Sequence, residues 1–332
     1  YRSDFLTGKT GKDTASIHEV KDYIETHNAK VERGEITHKP KVREVLLSGG
    51  DPMVLSNRNL FDYLNGLAEA GVEVIRIGTK EMAFYPERFD DNFFRMLDLF
   101  HEVHPQVLVA FMVHFTHPDE FLRLDVNGDY VRDERGRPLR NPLVEQAATR
   151  LRARPFVTLE NQTPIIDGVN DDADALRLMQ QELKRMGVNN HYFFQCREIE
   201  GFRAFAVPVE KAWKLHAESQ HGLSGIERSR FALSTEAGKM EMVSVIDGDE
   251  RLRSLGGELG EALADGLVVF RLHRTPHSDR QSDIVIARRN PEALWISGYE
   301  DRILYDGRVQ SQDDKWAPVL AALAPALMQA AE

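Results

Sequence analysis

The chain has 332 residues, of which 42% are hydrophobic, and a formal net charge of -11. That length can bury one large core, or a core plus an appended domain, and an acidic balance without a basic run argues against nucleic acid. No apolar run nears the ~20 residues of a membrane helix, no secretory leader is visible, and one cysteine, Cys196, excludes a disulfide framework or a cysteine-built metal site within the chain. The expectation is a cytoplasmic protein with no nucleic-acid or membrane partner.

The opening, "YRSDFLTGKTGKD" (1–13), carries no helical pattern. In "VREVLLSGGDPMVLS" (42–56) an apolar run reads as a buried strand and stops at Ser48-Gly49-Gly50-Asp51-Pro52. Gly-Gly-Asp-Pro is good turn chemistry. It also suits a ligand-binding edge, because glycines let a small molecule touch the backbone at the end of a parallel strand. Further strand-like runs follow at 72–79, 106–115, 156–162 and 191–196, the first of the set being 43–49. Between them "NRNLFDYLNGLAEAG", "PERFDDNFFRMLDLFHEV" and "DADALRLMQQELKRMG" repeat apolar residues at i, i+3 and i+4. Strand and helix alternate, which predicts an α/β protein whose parallel sheet is covered by helices and whose right-handed crossovers lead toward a barrel.

One segment, 121–142, is polar and carries Asn127-Gly128 and Arg135-Gly136 turn signals; it reads as a small hairpin insertion. Past a boundary near 222–228 the pattern changes. "FALSTEAGKMEMVSV", "GLVVFRLH" and "SDIVIARR" read as antiparallel strands, and "DDKWAPVLAALAPALMQAAE" as a helical tail. The division is therefore 1–225 and 226–332, with no internal repeat. Polar residues gather at the strand ends: Gly49-Gly50-Asp51, His114 to Pro118, Glu160-Asn161-Gln162 and Gln195-Cys196-Arg197. In a βα barrel those ends share the catalytic rim. Lys239, beside Gly238, reads from spacing first as exposed charge, with an amine held for a carbonyl cofactor as the lesser alternative.

Together "LLSGGDP", "IRIGT", "HFTHPDE", "NQTPIIDGVND", "YFFQC" and "AGKMEMV" resemble the lysine 2,3-aminomutase family of radical S-adenosylmethionine (radical SAM) enzymes, over residues 1 to 245. The resemblance implies a partial (β/α)6 barrel lacking its first segment, with a C-terminal β-rich extension that carries the cofactor lysine and contacts for oligomerisation. It implies three cofactors: a [4Fe-4S] cluster, S-adenosylmethionine, and pyridoxal 5′-phosphate. It also implies an amino acid substrate whose amine moves between neighbouring carbons, an electron donor for the cluster, and a homo-oligomer. By the same resemblance Gly49, Gly50 and Asp51 meet the methionyl amine of S-adenosylmethionine, His114 and Gln162 lie near it, and Lys239 binds pyridoxal phosphate covalently; Asn161 and Phe194 are candidates for a wall facing that cofactor's ring. "YRSDFLTGK" is similar to the residues directly after the family's Cys-x3-Cys-x2-Cys motif. The chain is thus expected to start just past its cluster ligands, leaving no metal ligand inside it, and Arg2 matches the arginine that grips the substrate α-carboxylate.

Two departures stand out. Where lysine-using members place an aspartate after the Gln-Cys pair, this chain has Arg197, which would repel lysine and attract an acidic side chain; pairing with Glu198 or Glu200 is the structural alternative. Phe194 sits where a tyrosine is common. The expected activity is an amino acid aminomutase, an isomerase, with an acidic substrate suggested. A different radical rearrangement on a pyridoxal-bound amine, or a cluster-less binding scaffold, are the alternatives.

Overall fold

The computed structural model describes residues 15–309 except 198, 200, 202 and 276–281. Arg2 and the helical tail at 313–332 lie outside the described residues. Two compact units emerge: residues 1–163, 175–191 and 223–228 form the first, and 164–174, 192–222 and 229–332 the second.

The first unit opens with a helix that the sequence reading passed over, α1 (Ile17–Glu32). Its start signal was present. Ser16 caps the Glu19 amide while Glu19 reaches back to the Ser16 amide, a reciprocal box that satisfies two of the four free amides of a helix start. The expected alternation follows: β1 (Glu44–Leu47), α2 (Asn57–Glu69), β2 (Val74–Thr79), the single turn α3 (Glu81–Phe84), α4 (Asp91–Val103), β3 (Leu108–Val113), α5 (Pro142–Arg152), β4 (Val157–Ile165) and α6 (Ala173–Met186). β1 to β4 pair in chain order and all in parallel, so their C-terminal ends share one edge. The apolar stripe of α4 buries Phe93, Phe94, Leu97 and Phe100. Phe93 meets Phe89 edge-on at 5.3 Å and Phe111 of β3 at 6.2 Å, the geometry ring quadrupoles prefer.

The polar insertion is two loops of one design rather than one hairpin. In "DVNGD" the Asp125 carboxylate accepts from the amides of Asn127 and Asp129. In "DERGR" Asp133 accepts from the amides of Arg135 and Arg137. The sequence reading found no repeat because the two copies share only the Asp and the Gly. Isolated bridges Leu122↔Arg140, Leu124↔Tyr130 and Arg132↔Pro138 hold the segment together. At its base Arg140 donates to Glu145 at 2.8 Å and to the buried Glu182 of α6 at 3.3 Å.

The second unit holds β5 (Asn189–Gln195) from Tyr192 on, α7 (Val209–Ser219), β6 (Arg230–Thr235), β7 (Gly238–Asp247), α8 (Gly257–Asp265), β8 (Gly266–Arg274), β9 (Ile284–Arg288) and β10 (Ile303–Asp306). The antiparallel strands expected here are present, with one difference. β6 is antiparallel to β7 but parallel to β5, through Tyr192↔Arg230 and Phe194↔Ala232. It is thus the sixth strand of the βα series, since α7 supplies the crossover. The order from β1 to β6 is that of an α/β protein with a partial (β/α)6 barrel. Among the described residues no helix is long and apolar enough to cross a membrane.

The core of this unit contains a titratable group. His216 on α7 is 8% exposed, packed 5.9 Å from the rings of both Phe193 and Phe231, with Nε2 at 3.1 Å from the Ser229 hydroxyl. Burial lowers its pKa from 6.5 to about 4, partly offset by Ser229. The unfolded chain therefore binds more protons than the folded one between those values. The neutral imidazole stabilises fully above pH 6.5, and that stabilisation is lost as pH falls toward 4, by roughly 3 kcal/mol. His216→Phe should flatten the fall of unfolding free energy between pH 6.5 and 4 in urea titrations. An unchanged slope would assign the acid sensitivity to other groups.

Candidate functional site

In the first unit the C-terminal edge of β1–β4 is held by a continuous run of polar contacts. Gly49 adopts φ +131°, a conformation side chains rarely enter, and a Cβ added at Gly49 or Gly50 would meet no heavy atom within 4 Å. Bare backbone therefore faces open space there, as an approaching ligand requires. Asp51 caps the short turn Pro52–Val54 by accepting from the Met53 amide at 2.9 Å. Its other oxygen accepts from the Thr79 hydroxyl at 2.9 Å and the Lys80 amide at 2.6 Å, both at the end of β2. Its charge, with burial, pushes the Glu81 carboxyl up. On the far side of the turn Arg88 donates to the carbonyls of Met53 at 2.7 Å and Leu55 at 3.0 Å.

The contacts continue to β3 and β4. The Lys80 ammonium donates to the His114 carbonyl at 2.6 Å, the Thr116 hydroxyl at 2.9 Å and Glu120 Oε1 at 2.8 Å. Gln162 Nε2 lies 3.1 Å from His114 Nε2. This contact ties the Gln162 carboxamide to the His114 ring and fixes the ring's direction at the strand end. Asn161 is buried and spends its carboxamide on Phe115, accepting from the amide at 2.9 Å and donating to the carbonyl at 3.2 Å. Below Gln162 on the same face, burial pushes the Glu160 carboxyl up, while Asn189 donates to it at 2.9 Å. The insertion reaches this edge as well: Tyr130 donates to Asp119 at 2.8 Å, and Asp119 pairs with His117 at 3.2 Å.

In the second unit a separate cluster forms on one face of β5–β8. The registers Phe194↔Ala232, Ala232↔Glu241, Ser234↔Lys239 and Glu241↔Arg271 put Phe194, Ser234, Lys239, Glu241 and Arg271 on that face. The opposite face carries the buried Phe193, Phe231, Leu233, Met240 and Leu272. Lys239 is half-buried. Its ammonium lies 4.2 Å from the centre of the Phe194 ring and donates to the Ser234 hydroxyl at 2.8 Å. Arg197 is exposed and donates to the Ser234 carbonyl at 2.9 Å. Tyr192 stacks on Phe194 at 5.2 Å. Beside them the Cys196 thiol is pushed up by burial.

The structure thus brings Gly49, Gly50, Asp51, His114, Asn161 and Gln162 to one edge of the first unit, and Phe194 and Lys239 to one face of the second, with Arg197 bonded to the carbonyl of Ser234 beside them. Glu198 and Glu200, the alternative partners of Arg197, lie outside the described residues. The sequence reading missed Thr79, Lys80, Arg88, Glu120 and Ser234. "IRIGT" stops one residue short of Lys80, and no spacing rule singles out Arg88.

No family model matches the chain. The "Putative L-lysine 2,3-aminomutase" of Aquifex aeolicus is 31% identical over 272 residues, 81% of this chain and 62% of that protein. The L-lysine 2,3-aminomutase of Acetoanaerobium sticklandii is 31% identical over 177 residues, 53% of this chain and 36% of that protein. The glutamate 2,3-aminomutase of Clostridioides difficile is 26% identical over 228 residues, 68% of this chain and 45% of that protein. The chain therefore spans less than two thirds of the length of these relatives. Among solved structures, a radical SAM methyltransferase from Sphaerobacter thermophilus overlaps 66% of this chain and 58% of its own, at 14% identity and a TM-score of 0.40.

Arg88 supplies a test of the turn that carries the two glycines. Arg88→Ala strips two carbonyls of a charged donor, worth about 1.5–3 kcal/mol for each such bond when buried. The amides of Val54 and Leu55, which close the turn on Asp51 and Pro52, should exchange with deuterium faster in Arg88→Ala than in the parent chain. Unchanged exchange would show that Asp51 alone holds the turn.

Proposed function

A relative of the lysine 2,3-aminomutases, this chain, we propose, carries the S-adenosylmethionine edge and the pyridoxal phosphate lysine of a radical SAM aminomutase that acts on an amino acid with an acidic side chain. The observation that carries the reading is Lys239. A half-buried ammonium is held against an aromatic ring by the hydroxyl of Ser234, the residue whose carbonyl accepts from the Arg197 guanidinium.

Bound S-adenosylmethionine, given one electron by an iron-sulfur cluster, would release methionine and supply the 5′-deoxyadenosyl radical that takes a hydrogen atom from the substrate. For it the first unit offers open backbone at Gly49 and Gly50, whose carbonyls suit a methionyl ammonium, and the His114 imidazole oriented by Gln162. Asp51 has three of its roughly four acceptor sites filled, so it shapes this edge and leaves one site for the ammonium. Pyridoxal phosphate would supply the conjugated ring that carries the migrating nitrogen. For it the second unit offers the Lys239 amine, the ring face of Phe194 and the Ser234 hydroxyl, which accepts from Lys239 and orients it. The iron-sulfur cluster does not fit the residues present. A single cysteine cannot provide three thiolates, and no step is assigned to a cluster within this chain.

Arg197 supports an acidic substrate. Its guanidinium is tethered to the Ser234 carbonyl, on the residue whose hydroxyl holds Lys239, so a substrate joined to the Lys239 cofactor would present its side chain to a cation. A relative that carries the name glutamate 2,3-aminomutase is consistent with that choice.

Two experiments test the reading. Incubation of the chain with pyridoxal phosphate followed by borohydride should attach a pyridoxyl group that peptide mass mapping places on Lys239, and Lys239→Ala should lose it. Labelling spread over surface lysines in both proteins would refute the assignment. In a longer form of the protein that supplies the cluster ligands, reconstituted with cluster and cofactors, Arg197→Asp should lower the preference for glutamate over lysine by about ten-fold or more, because a removed cation leaves a carboxylate unpaired. An unchanged preference would make Arg197 a structural tether and leave the Lys239 assignment standing.

A further inference from the structure

Lys80 sits between the two halves of the S-adenosylmethionine edge. Its amide donates to Asp51 and its ammonium to the His114 carbonyl, Thr116 and Glu120. An ammonium has three protons, and these three acceptors use them all. The cation also lies 4.9 Å from the centre of the Phe84 ring. With its protons committed, Lys80 has none left for a ligand.

We propose that Lys80 is a positioning residue: it fixes the main chain at His114 relative to the Gly49-Gly50-Asp51 turn, and so sets where the His114 imidazole meets S-adenosylmethionine. This inference rests on the proposed function for its ligand and on the hydrogen bonds above for its geometry. The pair it forms with Glu120 is largely shielded, with side chains 28% and 22% exposed, so water competes for it less than for a surface pair. The other Glu120 oxygen accepts from the Thr116 amide at 2.7 Å. Thr163 of β4 donates to the Thr116 hydroxyl at 3.3 Å. One residue therefore links the ends of β1 to β4, its amide reaching the Asp51 turn after β1 and its ammonium the ends of β3 and, through Thr116, β4. Three acceptors grouped around a single nitrogen suit an ammonium; a planar guanidinium would spread its donors and move at least one of them.

Lys80→Met alone would strand the shielded Glu120 carboxylate and could unfold the edge. The double variant Lys80→Met/Glu120→Gln removes both charges and keeps the volume. In this pair of proteins the ligand-free imidazole resonances of His114, assigned through His114→Gln, are compared by NMR, and S-adenosylmethionine binding is measured by equilibrium dialysis. We expect the double variant to melt cooperatively, to show shifted or broadened His114 resonances, and to bind S-adenosylmethionine about ten-fold or more weakly than the parent. His114 resonances that stay in place overturn the positioning role of Lys80, whatever the binding result. Shifted resonances with equal affinity also overturn it as a determinant of binding. Absence of binding to the parent chain refutes the S-adenosylmethionine reading of the edge, and leaves the resonances to judge the coupling of Lys80 to His114.

Discussion

The carboxylate of Asp51 holds the C-terminal edge of the first unit's parallel strands in place. β1 is four residues long and only half covered, and its register with β2 ends at Leu47↔Ile77. Beyond that point no ladder holds the two chains together. Asp51 takes over with three acceptor contacts, one inward to its own turn and two across to the end of β2. Hydrogen bonds to an ionised acceptor are about twice as strong as neutral ones, which suits a position where a strand has run out and two glycines have removed all side-chain packing. The open backbone at Gly49 and Gly50 is thus affordable only because the next residue is anchored three times.

How far this was legible in the sequence depends on whether a feature is local. The strands of the βα series and three of its helices follow from apolar period, and their bounds match the runs at 43–49, 72–79, 106–115, 156–162 and 191–196 to within a few residues. The start of α1 is also local, a Ser-x-x-Glu box, but Ile24 is the one buried residue of that helix, so no apolar stripe marks it in the sequence. The direction of β6 was not local. An alternating strand beside a Gly turn reads as half of a hairpin, which β6–β7 is, and nothing in "RFALST" announces a parallel neighbour on the other side. That partner is set by the crossover through α7.

The site shows the same divide. Glycines, acids and histidines at strand ends stand out because their residue types are unusual there. Lys80 and Arg88 do not, since a lysine or arginine after a strand is ordinary on the surface. Their importance comes from acceptors brought by chain 30 or more residues away: His114, Thr116 and Glu120 for one, the carbonyls of Met53 and Leu55 for the other. Main-chain carbonyls leave no mark in a sequence. Asn161 shows the opposite case. Its residue type stands out at a strand end, and its carboxamide braces that end by pairing with Phe115, while its neighbour Gln162 is turned to His114.

Lys239 reaches the polar face of β5–β8 through register alone. Along β7 the residues alternate, and Met240 and Met242 are buried while Lys239 and Glu241 lie on the other face. A slip of one residue would send the ammonium into the core and Met240 toward Phe194. Two features prevent it. Gly238, at φ +130°, lies so close to the next strand that a Cβ there would fall 2.0 Å from the Arg274 carbonyl, so no other residue can occupy that point of the turn. The Thr235 hydroxyl donates to the Gly238 carbonyl at 2.9 Å, which closes the turn from β6. Between Lys239 and Met240 the pairing with β8 shifts by a bulge, a device that re-aims a side chain at a sheet edge. The glycine beside the lysine is therefore a register pin, and the position of the amine follows from the one place in the hairpin where a side chain cannot fit.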